Sequence, residues 1–308
     1  MSLWQSLFSA GIIAIILMKV TPLLLAAIGG AITDQANVLN IGLEGMMLIG
    51  AFTSIAVGAT FHSWVVGVVA AMVSGILLGV VYAACSLWLK ADFIVVGIGV
   101  NILAAGLAMF LLNQIYGTPG VTPPDVRITL PPVSLGPLAN VPFIGEAFNN
   151  LTPLVWLALI AVPLYSVLLY RTRFGVHLRA VGQDEPAAIA AGISPNRIRL
   201  IAILASGALS GIAGAQLSMA SLGSYNANMT SGRGFIAVAA LTFGRSRPLP
   251  TFIAALIFGV ADAVSDRMNV TGVLDSNLAL MLPYIITVVA LTLAAVATVR
   301  RRPKTATA

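Results

Sequence analysis

Long, uninterrupted apolar runs are the feature that most constrains the fold of this chain. Stretches such as 64–89 and 93–116 contain almost only apolar and small residues, and about 20 such residues suffice for a helix to cross a bilayer. Charged residues make up only 8% of the 308 positions and hydrophobic residues 59%, against about 25% and about 45–50% in a soluble domain. This balance excludes a soluble enzyme and a disordered chain, and runs this long exclude an outer-membrane barrel. The predicted fold class is all-α, a polytopic helical membrane bundle.

Nine apolar stretches account for the predicted spans. Six of them fit a regular crossing: 64–89, 93–116, 151–170, 199–222, 248–267 and 278–299. The stretch 3–33 carries Lys19 and Pro22 in its middle, which predicts either one kinked helix or two short ones. The stretch 41–60 is apolar but begins among polar residues, and 233–244 is too short to cross at about 1.5 Å per residue. We therefore expect about eight to ten spans, some of them broken.

Basic residues are distributed unevenly between the predicted loops. If the loop 171–198 is cytoplasmic, alternation of the spans places twelve of the sixteen Lys and Arg residues on that side. The others are Arg127, Arg233 and Arg267 outside, with Lys19 undecided. Because cytoplasmic loops retain Lys and Arg, this bias supports the short crossing at 233–244 and a cytoplasmic basic tail at 300–308. It also explains the net charge of +6 without a nucleic-acid partner, while the side of the N-terminus stays open.

A weak internal repeat relates two parts of the chain at an offset of 189 positions. It aligns Asn37 with Asn226, Glu44 with Arg233, Gly45 with Gly234 and Ala51 with Ala240. In the predicted topology 41–60 runs outward and 233–244 runs inward, so the two copies are inverted. Inverted repeats with discontinuous helices are typical of transporters. We expect one transmembrane domain over 1–308, with parts at 20–116 (first repeat), 117–150 (proline-rich external loop), 171–198 (cytoplasmic loop) and 199–299 (second repeat).

Polar residues at membrane depth are the candidates for a path through the bundle. Glu44 lies in the first turn of an apolar run and Asn40 just before it, so both can simply cap the positive end of that helix. Alternatively, they line a water-filled path, as intramembrane ionisable groups usually do. Amides within the spans have the same two interpretations, helix packing or contact with a solute. The residues predicted to line the path are Asn40, Glu44, Asn101, Asn226, Asn228 and Arg233.

Other polar residues have simpler interpretations. Asp262 and Asp266, towards the outer end of 248–267, predict a solvated or locally paired cluster, and Gln216 predicts interhelical hydrogen bonding. The two histidines lie 115 positions apart and the chain has one cysteine, so no metal or cofactor is expected in this chain.

The loop 171–198 is amphiphilic and contains a short predicted helix. Asp184 can cap it, Glu185 and Pro186 suit its first turn, and Gly192 ends it. A two-turn helix of small residues with basic flanks suits insertion into a groove on a partner protein, although an inert connector has the same pattern. The chain lacks a G-x-x-x-x-G-K-[ST] phosphate loop and the usual enzyme motifs, so we expect it not to hydrolyse ATP itself.

Three segments in order, 40–51 (NIGLEGMMLIGA), 179–193 (RAVGQDEPAAIAAGI) and 232–244 (GRGFIAVAALTFG), resemble bacterial ABC-importer permeases. The family is the binding-protein-dependent one that serves branched-chain amino acid, simple-sugar and nucleoside systems. The resemblance covers about 20–299 and is greatest to the shorter of the two dissimilar permeases in nucleoside or simple-sugar systems.

The resemblance implies partners that carry the remaining functions. They are a second permease of different sequence, an ABC ATPase that holds ATP and Mg, and an extracytoplasmic solute-binding protein, all at the bacterial cytoplasmic membrane. The segment 179–193 matches the family's coupling segment, although Pro186 stands where a Glu is expected. The residues implied to dock on the ATPase are Glu185, Ala187, Ala188 and Gly192.

The resemblance leaves the solute and one rival mechanism open. Nucleosides are the first candidate for the solute and simple sugars the second, and amino acids and vitamins such as riboflavin are further candidates. The rival is a secondary transporter driven by an ion gradient, which commonly places an acidic residue deep in a span. Glu44 is the best candidate for that role.

Overall fold

The computed structural model describes residues 11–134 and 148–270, together with Ile285 and Thr292. Within these ranges the chain forms ten α-helices, which we number in chain order. Their bounds are Gly11–Asp34 (α1), Leu43–Thr60 (α2), Trp64–Ala83 (α3), Phe93–Tyr116 (α4), Pro153–Arg171 (α5), Arg173–Gln183 (α6), Glu185–Ala190 (α7), Pro195–Leu217 (α8), Arg233–Phe243 (α9) and Pro248–Val270 (α10). Short π-helical turns, Ala84–Trp88 and Ser218–Leu222, prolong α3 and α8.

Seven of the helices in the described ranges are long and apolar enough to cross a bilayer, namely α1 to α5, α8 and α10. The predicted all-α polytopic membrane bundle is therefore confirmed. The stretch 41–60 forms the full span α2, whereas 233–244 forms only α9, whose 11 residues cover about half of the hydrocarbon core. The predicted span 278–299 lies outside the described residues apart from Ile285 and Thr292. The tail 300–308 lies outside them as well.

The described part of the apolar stretch 3–33 crosses the bundle as a single helix, α1. It runs from Gly11 to Asp34 as one helix that includes Pro22. A proline inside a helix removes one backbone hydrogen bond, and such helices persist in membranes because neighbouring helices and Ser or Thr hydroxyls satisfy the freed groups. The carbonyl that Pro22 leaves without its helical donor is that of Met18, while the Thr21 hydroxyl donates to the adjacent Leu17 carbonyl.

Three helices form the centre of the bundle and three others surround it. The buried share of the span is 61–72% for α1, α2 and α8 but only 28–33% for α3, α4 and α5. Glycines allow the backbones to touch, because a methyl group at Gly75 of α3 would overlap the carbonyl of Gly207 on α8. Gly50 of α2 contacts Gly211 of α8 in the same way. Close packing of small residues, rather than hydrophobic burial alone, thus joins α2 and α3 to α8.

The two ends of the bundle have different connections. One end, called the α7 end, contains α6, α7, the α1–α2 connection 35–42 and the α9–α10 turn 244–247. The Gln35 amide donates to the Ser246 carbonyl there, at 3.0 Å. The opposite end, called the loop end, contains the described part of the predicted external loop, 117–134. There, Ile128 donates its backbone N–H to the Gly223 carbonyl at 3.0 Å.

Helix α1 begins at the loop end and finishes at the α7 end. Leu17 near its start packs with Leu151 and Val155 at the beginning of α5, and Asp34 at its finish accepts a hydrogen bond from Ser246. The segment 117–134 contains irregular backbone with isolated bridges and no helix. The rest of the predicted external loop, 135–147, lies outside the described residues.

Candidate functional site

The first turns of α2 and α9 meet inside the bundle. From this junction α2 runs towards the loop end and α9 towards the α7 end. The Glu44 carboxylate of α2 accepts hydrogen bonds from the backbone amides of Gly232 at 2.8 Å and Gly234 at 2.6 Å. A helix N-terminus presents unpaired amides and a positive pole, so Glu44 caps α9 across the junction rather than serving α2 alone.

The junction requires glycine at two neighbouring positions. Gly232 adopts a positive φ of 79°, a conformation that glycine reaches without steric cost. At Gly234 an added Cβ would lie 2.5 Å from the Cα of Glu44. The two helices can therefore approach this closely only because these side chains are absent.

Two amide side chains position the start of α2. Asn40 is 1% exposed; its Oδ1 accepts from the Gly42 amide and its Nδ2 donates to the Ser206 hydroxyl at 3.0 Å. Asn101 of α4 accepts from the Gly45 amide at 2.8 Å and donates to a backbone carbonyl before α2. Both amides are thus occupied by partners within this chain, and they hold the re-entrant connection 35–42.

A cavity of about 560 Å³ lies beside the junction. Among the described residues its wall consists of α1, the end of α8 and the segment 226–233. The polar residues of this wall are Lys19, Gln216, Asn226, Asn228, Ser231 and Arg233. Of the six residues predicted to line a path, the structure thus brings Asn226, Asn228 and Arg233 together at the cavity. Asn40, Glu44 and Asn101 instead lie in the helix junction and its supports.

The two cations at the cavity wall are paired with two carboxylates of α10. Arg233 Nη2 lies 3.2 Å from Asp262 Oδ2, and Lys19 Nζ lies 3.9 Å from the same oxygen. Lys19 also forms an ion pair with Asp266. Asp262 and Asp266, predicted to be solvated or locally paired, are paired with cations of α1 and α9. Pairing lowers the cost of placing charged groups in a membrane bundle, and the formal charges of the four residues sum to zero.

Three polar wall residues, Lys19, Gln216 and Ser231, are not among the residues predicted to contact a solute. For Lys19, a lone cation in the middle of an apolar run is a usable signal. Gln216 was interpreted as a helix-packing amide, and its sequence context contains nothing that separates the two roles. Within 11–134 and 148–270, no group of three or more His, Cys, Asp or Glu side chains is arranged to hold a metal ion.

Helix α7 forms where the sequence predicted a short helix. Asp184 Oδ1 accepts from the Ala187 amide at 3.0 Å, and Pro186 occupies the first turn. Ala187 and Gly192 are exposed, as the docking prediction requires. Ala188, however, is only 3% exposed and belongs to the core of this chain. Its side chain therefore faces the interior, while the unpredicted Ile189 is 56% exposed.

An arginine joins α7 to the connection before α2. Arg199, on the first turns of α8, forms an ion pair with Glu185 at 2.8 Å and donates to the Ala36 carbonyl at 3.2 Å. Its side chain is 11% exposed. The neighbouring Gln35 is bonded in turn to Ser246, at the C-terminal end of α9. The network formed by Glu185, Arg199, 34–36 and Ser246, called the hub, thus connects α7 to the chain segments that lead to both helices of the junction.

A polytopic bundle in which a half-length helix meets a full span beside a polar cavity is typical of a membrane transport protein. The chain belongs to the family described as the permease component of the branched-chain amino acid transport system, whose family model matches residues 12–291. The resemblance to ABC permeases is therefore confirmed, and the chain is a multi-pass transport subunit rather than an enzyme.

Several ABC transporter permeases are similar to this chain over most of their length. A guanosine ABC transporter permease of Bacillus subtilis is 33% identical over 292 residues, which are 90% of this chain and 89% of that protein. A nucleoside ABC transporter permease of Lactococcus lactis subsp. cremoris is 34% identical, with 92% and 91% covered. A putative glucose ABC transporter permease of Haloferax volcanii is 35% identical, with 88% and 82% covered. No solved structure matches the chain.

Proposed function

We propose that this chain forms part of the path for a small, neutral, polar solute in an ATP-driven importer, with nucleosides first and simple sugars second. The observation that carries the proposal is the cavity beside the helix junction, whose wall combines amide side chains with fully paired charges. The relatives named for guanosine, nucleosides and glucose support the same solute classes.

The paired charges favour a neutral solute. In a low-dielectric site an unpaired cation would hold an anion strongly, and a path must release its solute as readily as it admits it. Asp262 neutralises Arg233 and, with Asp266, Lys19. The uncharged polar side chains of the wall include the amides of Gln216, Asn226 and Asn228, which suit hydroxyl groups and heterocyclic bases.

The α7 end is proposed to face the cytoplasm of a bacterial cell. Support comes from the basic residues, since Lys90, Arg245 and Arg247 belong to the same end as α6 and α7, and cytoplasmic loops retain such residues. In this orientation the start of α1 lies outside and the C-terminal tail 300–308 lies in the cytoplasm.

A separate ATPase, which binds ATP and Mg, is proposed to contact α7 through Ala187, Ile189 and Gly192. Glu185 and Ala188 then act from the inner side, because Glu185 is paired with Arg199 and Ala188 is buried. A displacement of α7 reaches the hub through Arg199. From there it passes along 35–42 to α2, and through Ser246 to α9, so that the junction beside the cavity opens or closes.

At the loop end, the segment 120–130 is proposed to receive the solute-binding protein. Its backbone is hydrogen-bonded to the segment that leads into the cavity, with Thr122 donating to Tyr225 and Leu130 donating to Met219. Contact with this segment would therefore reach Asn226 directly. A second, dissimilar permease completes the path.

Reconstitution tests the proposal. The chain is assembled in proteoliposomes with its ATPase, second permease and solute-binding protein, and uptake of labelled guanosine and glucose is measured. We expect uptake that requires ATP and the binding protein and that persists when ion gradients are collapsed. Uptake without ATP that stops with the ion gradient would overturn the proposal in favour of a secondary transporter.

A further inference from the structure

Gln216 is held in one orientation by a single neighbour. It lies in the last turn of α8, and its side-chain oxygen Oε1 accepts a hydrogen bond from the Thr152 hydroxyl at 2.9 Å. Gln216 is 2% exposed and Thr152 5%, so solvent does not compete for this bond. Thr152 directly precedes α5, so its position is fixed by the start of that helix. The amide plane of Gln216 is therefore set by a bond between α5 and α8.

The other half of the same amide, Nε2, is buried beside the cavity and has no hydrogen-bond partner in the described part of the chain. An unpaired buried N–H group is unfavourable, so a molecule in the cavity that accepts this bond is stabilised. Since Oε1 already accepts a hydrogen bond from Thr152, the unpaired group that Gln216 offers is the Nε2 donor.

The apolar part of the wall near this donor suits a flat ring. Met18 and Met229 line the cavity together with Pro22, and thioether sulfurs make favourable contacts with aromatic rings. The volume of about 560 Å³ is in the range of about 300–1,000 Å³ that small-molecule sites occupy. A donor beside a methionine-lined surface matches a heterocycle better than it matches a polyol.

We propose that Gln216, oriented by Thr152, is a specificity-determining residue that donates a hydrogen bond to a carbonyl oxygen or ring nitrogen of a heterocyclic base during passage. This inference rests on the proposed function and narrows it to nucleosides. The solute-binding protein selects the solute first, and Gln216 acts on the solute after its release into the cavity.

The test uses the complete transporter in proteoliposomes with labelled guanosine as probe. We expect Gln216→Leu and the isosteric Gln216→Glu to lower the maximal uptake rate about tenfold, because each removes the donor. The concentration for half-maximal uptake stays unchanged, since capture belongs to the binding protein. Thr152→Val keeps the donor but frees its orientation, so a smaller loss of about threefold is expected.

Controls separate recognition from folding and from failure of the proposed function. Gln114→Leu makes the same side-chain change at an exposed position of α4 that does not line the cavity and keeps uptake within about twofold, and the ATPase rate per assembled complex stays at the wild-type level in every variant. Wild-type guanosine uptake in Gln216→Leu, equal loss in Gln114→Leu, or a wild-type complex that moves glucose but not guanosine would each overturn the inference. A wild-type complex that moves neither probe with ATP contradicts the proposed function itself.

Discussion

The hub and the cavity use polar side chains in opposite ways. At the hub, Arg199 binds both Glu185 and the Ala36 carbonyl, and Gln35 binds Ser246, so these groups are satisfied within the protein. At the cavity, the charges are also paired, but Gln216 keeps a buried donor that has no partner among the described residues. The hub is suited to keep its hydrogen bonds and transmit movement, whereas the cavity is suited to form and release hydrogen bonds with a passing solute. The Glu44 junction lies between the two.

The largest effect is expected at the junction, from Gly234→Val. A Cβ there overlaps the Glu44 backbone, and overpacking typically costs about 1–3 kcal/mol or more when backbone must move. We expect a clear loss of thermal stability in detergent and loss of uptake.

Gly106→Val is the matched control for steric bulk. A Cβ at Gly106 of α4 meets nothing within 4 Å, so stability should stay close to that of the wild type. If both variants lost stability equally, close approach at Gly234 would not be the cause.

Glu44→Gln should have the next largest effect. It replaces one carboxylate oxygen, both of which now accept from backbone amides, with an NH₂ group that cannot accept. Loss of an acceptor for a buried N–H costs about 1–3 kcal/mol, so the unfolding temperature should fall. Asn101→Asp, which keeps the oxygen that accepts from Gly45, should lose less. An unchanged unfolding temperature for Glu44→Gln would show that Glu44 does not stabilise the start of α9.

Arg199→Ala should separate ATP hydrolysis from transport. Coupling free energies between sites are typically about 1–3 kcal/mol, so solute moved per ATP should fall about tenfold while hydrolysis continues. Arg197→Ala, which removes an exposed arginine two positions earlier, serves as the control and should change neither.

A double-mutant cycle sharpens the same comparison. If Glu185 acts through Arg199, then adding Glu185→Gln to Arg199→Ala changes the uptake-to-hydrolysis ratio no further. Fully additive losses would show that the two residues act independently and would contradict the hub.

The smallest effect is expected at the edge of the ion-pair cluster. Asp266 is 42% exposed, and exposed pairs contribute about 0–1 kcal/mol, so Asp266→Asn should leave uptake within about twofold. Asp262→Asn frees Arg233 beside the cavity and should make guanosine uptake sensitive to inhibition by its anionic monophosphate. The comparison fails if Asp266→Asn produces the stronger inhibition.

The ends of a helix can be predicted from the sequence where local chemistry determines them. Helix α4 has the predicted bounds because its apolar run is bounded by the Asp92 cap, which accepts from two backbone amides, and by Gly117 with φ 65°. Helix α8 begins at Pro195 rather than at 199, since proline suits a first turn even where arginines follow.

Contacts between segments that are distant in the chain could not be predicted from the sequence. Glu44 and Gly234 are 190 positions apart, and the weak repeat aligned Glu44 with Arg233 without indicating that the two copies touch. The burial of Ala188 depends on how α6 and α7 fold against α8, which a two-turn helix of small residues does not reveal. For Gln216, orientation comes from Thr152, 64 positions away.

Thiol labelling at α7 tests the central claim most directly. A single cysteine is introduced as Ile189→Cys in a Cys85→Ala background, with Asp125→Cys at the loop end as the opposite control. A membrane-impermeant maleimide should label position 189 in inside-out vesicles but not in intact cells, and assembly with the ATPase should protect it. Position 125 should show the reverse sidedness. Labelling of position 189 from outside intact cells, or labelling unaffected by the ATPase, would contradict the account.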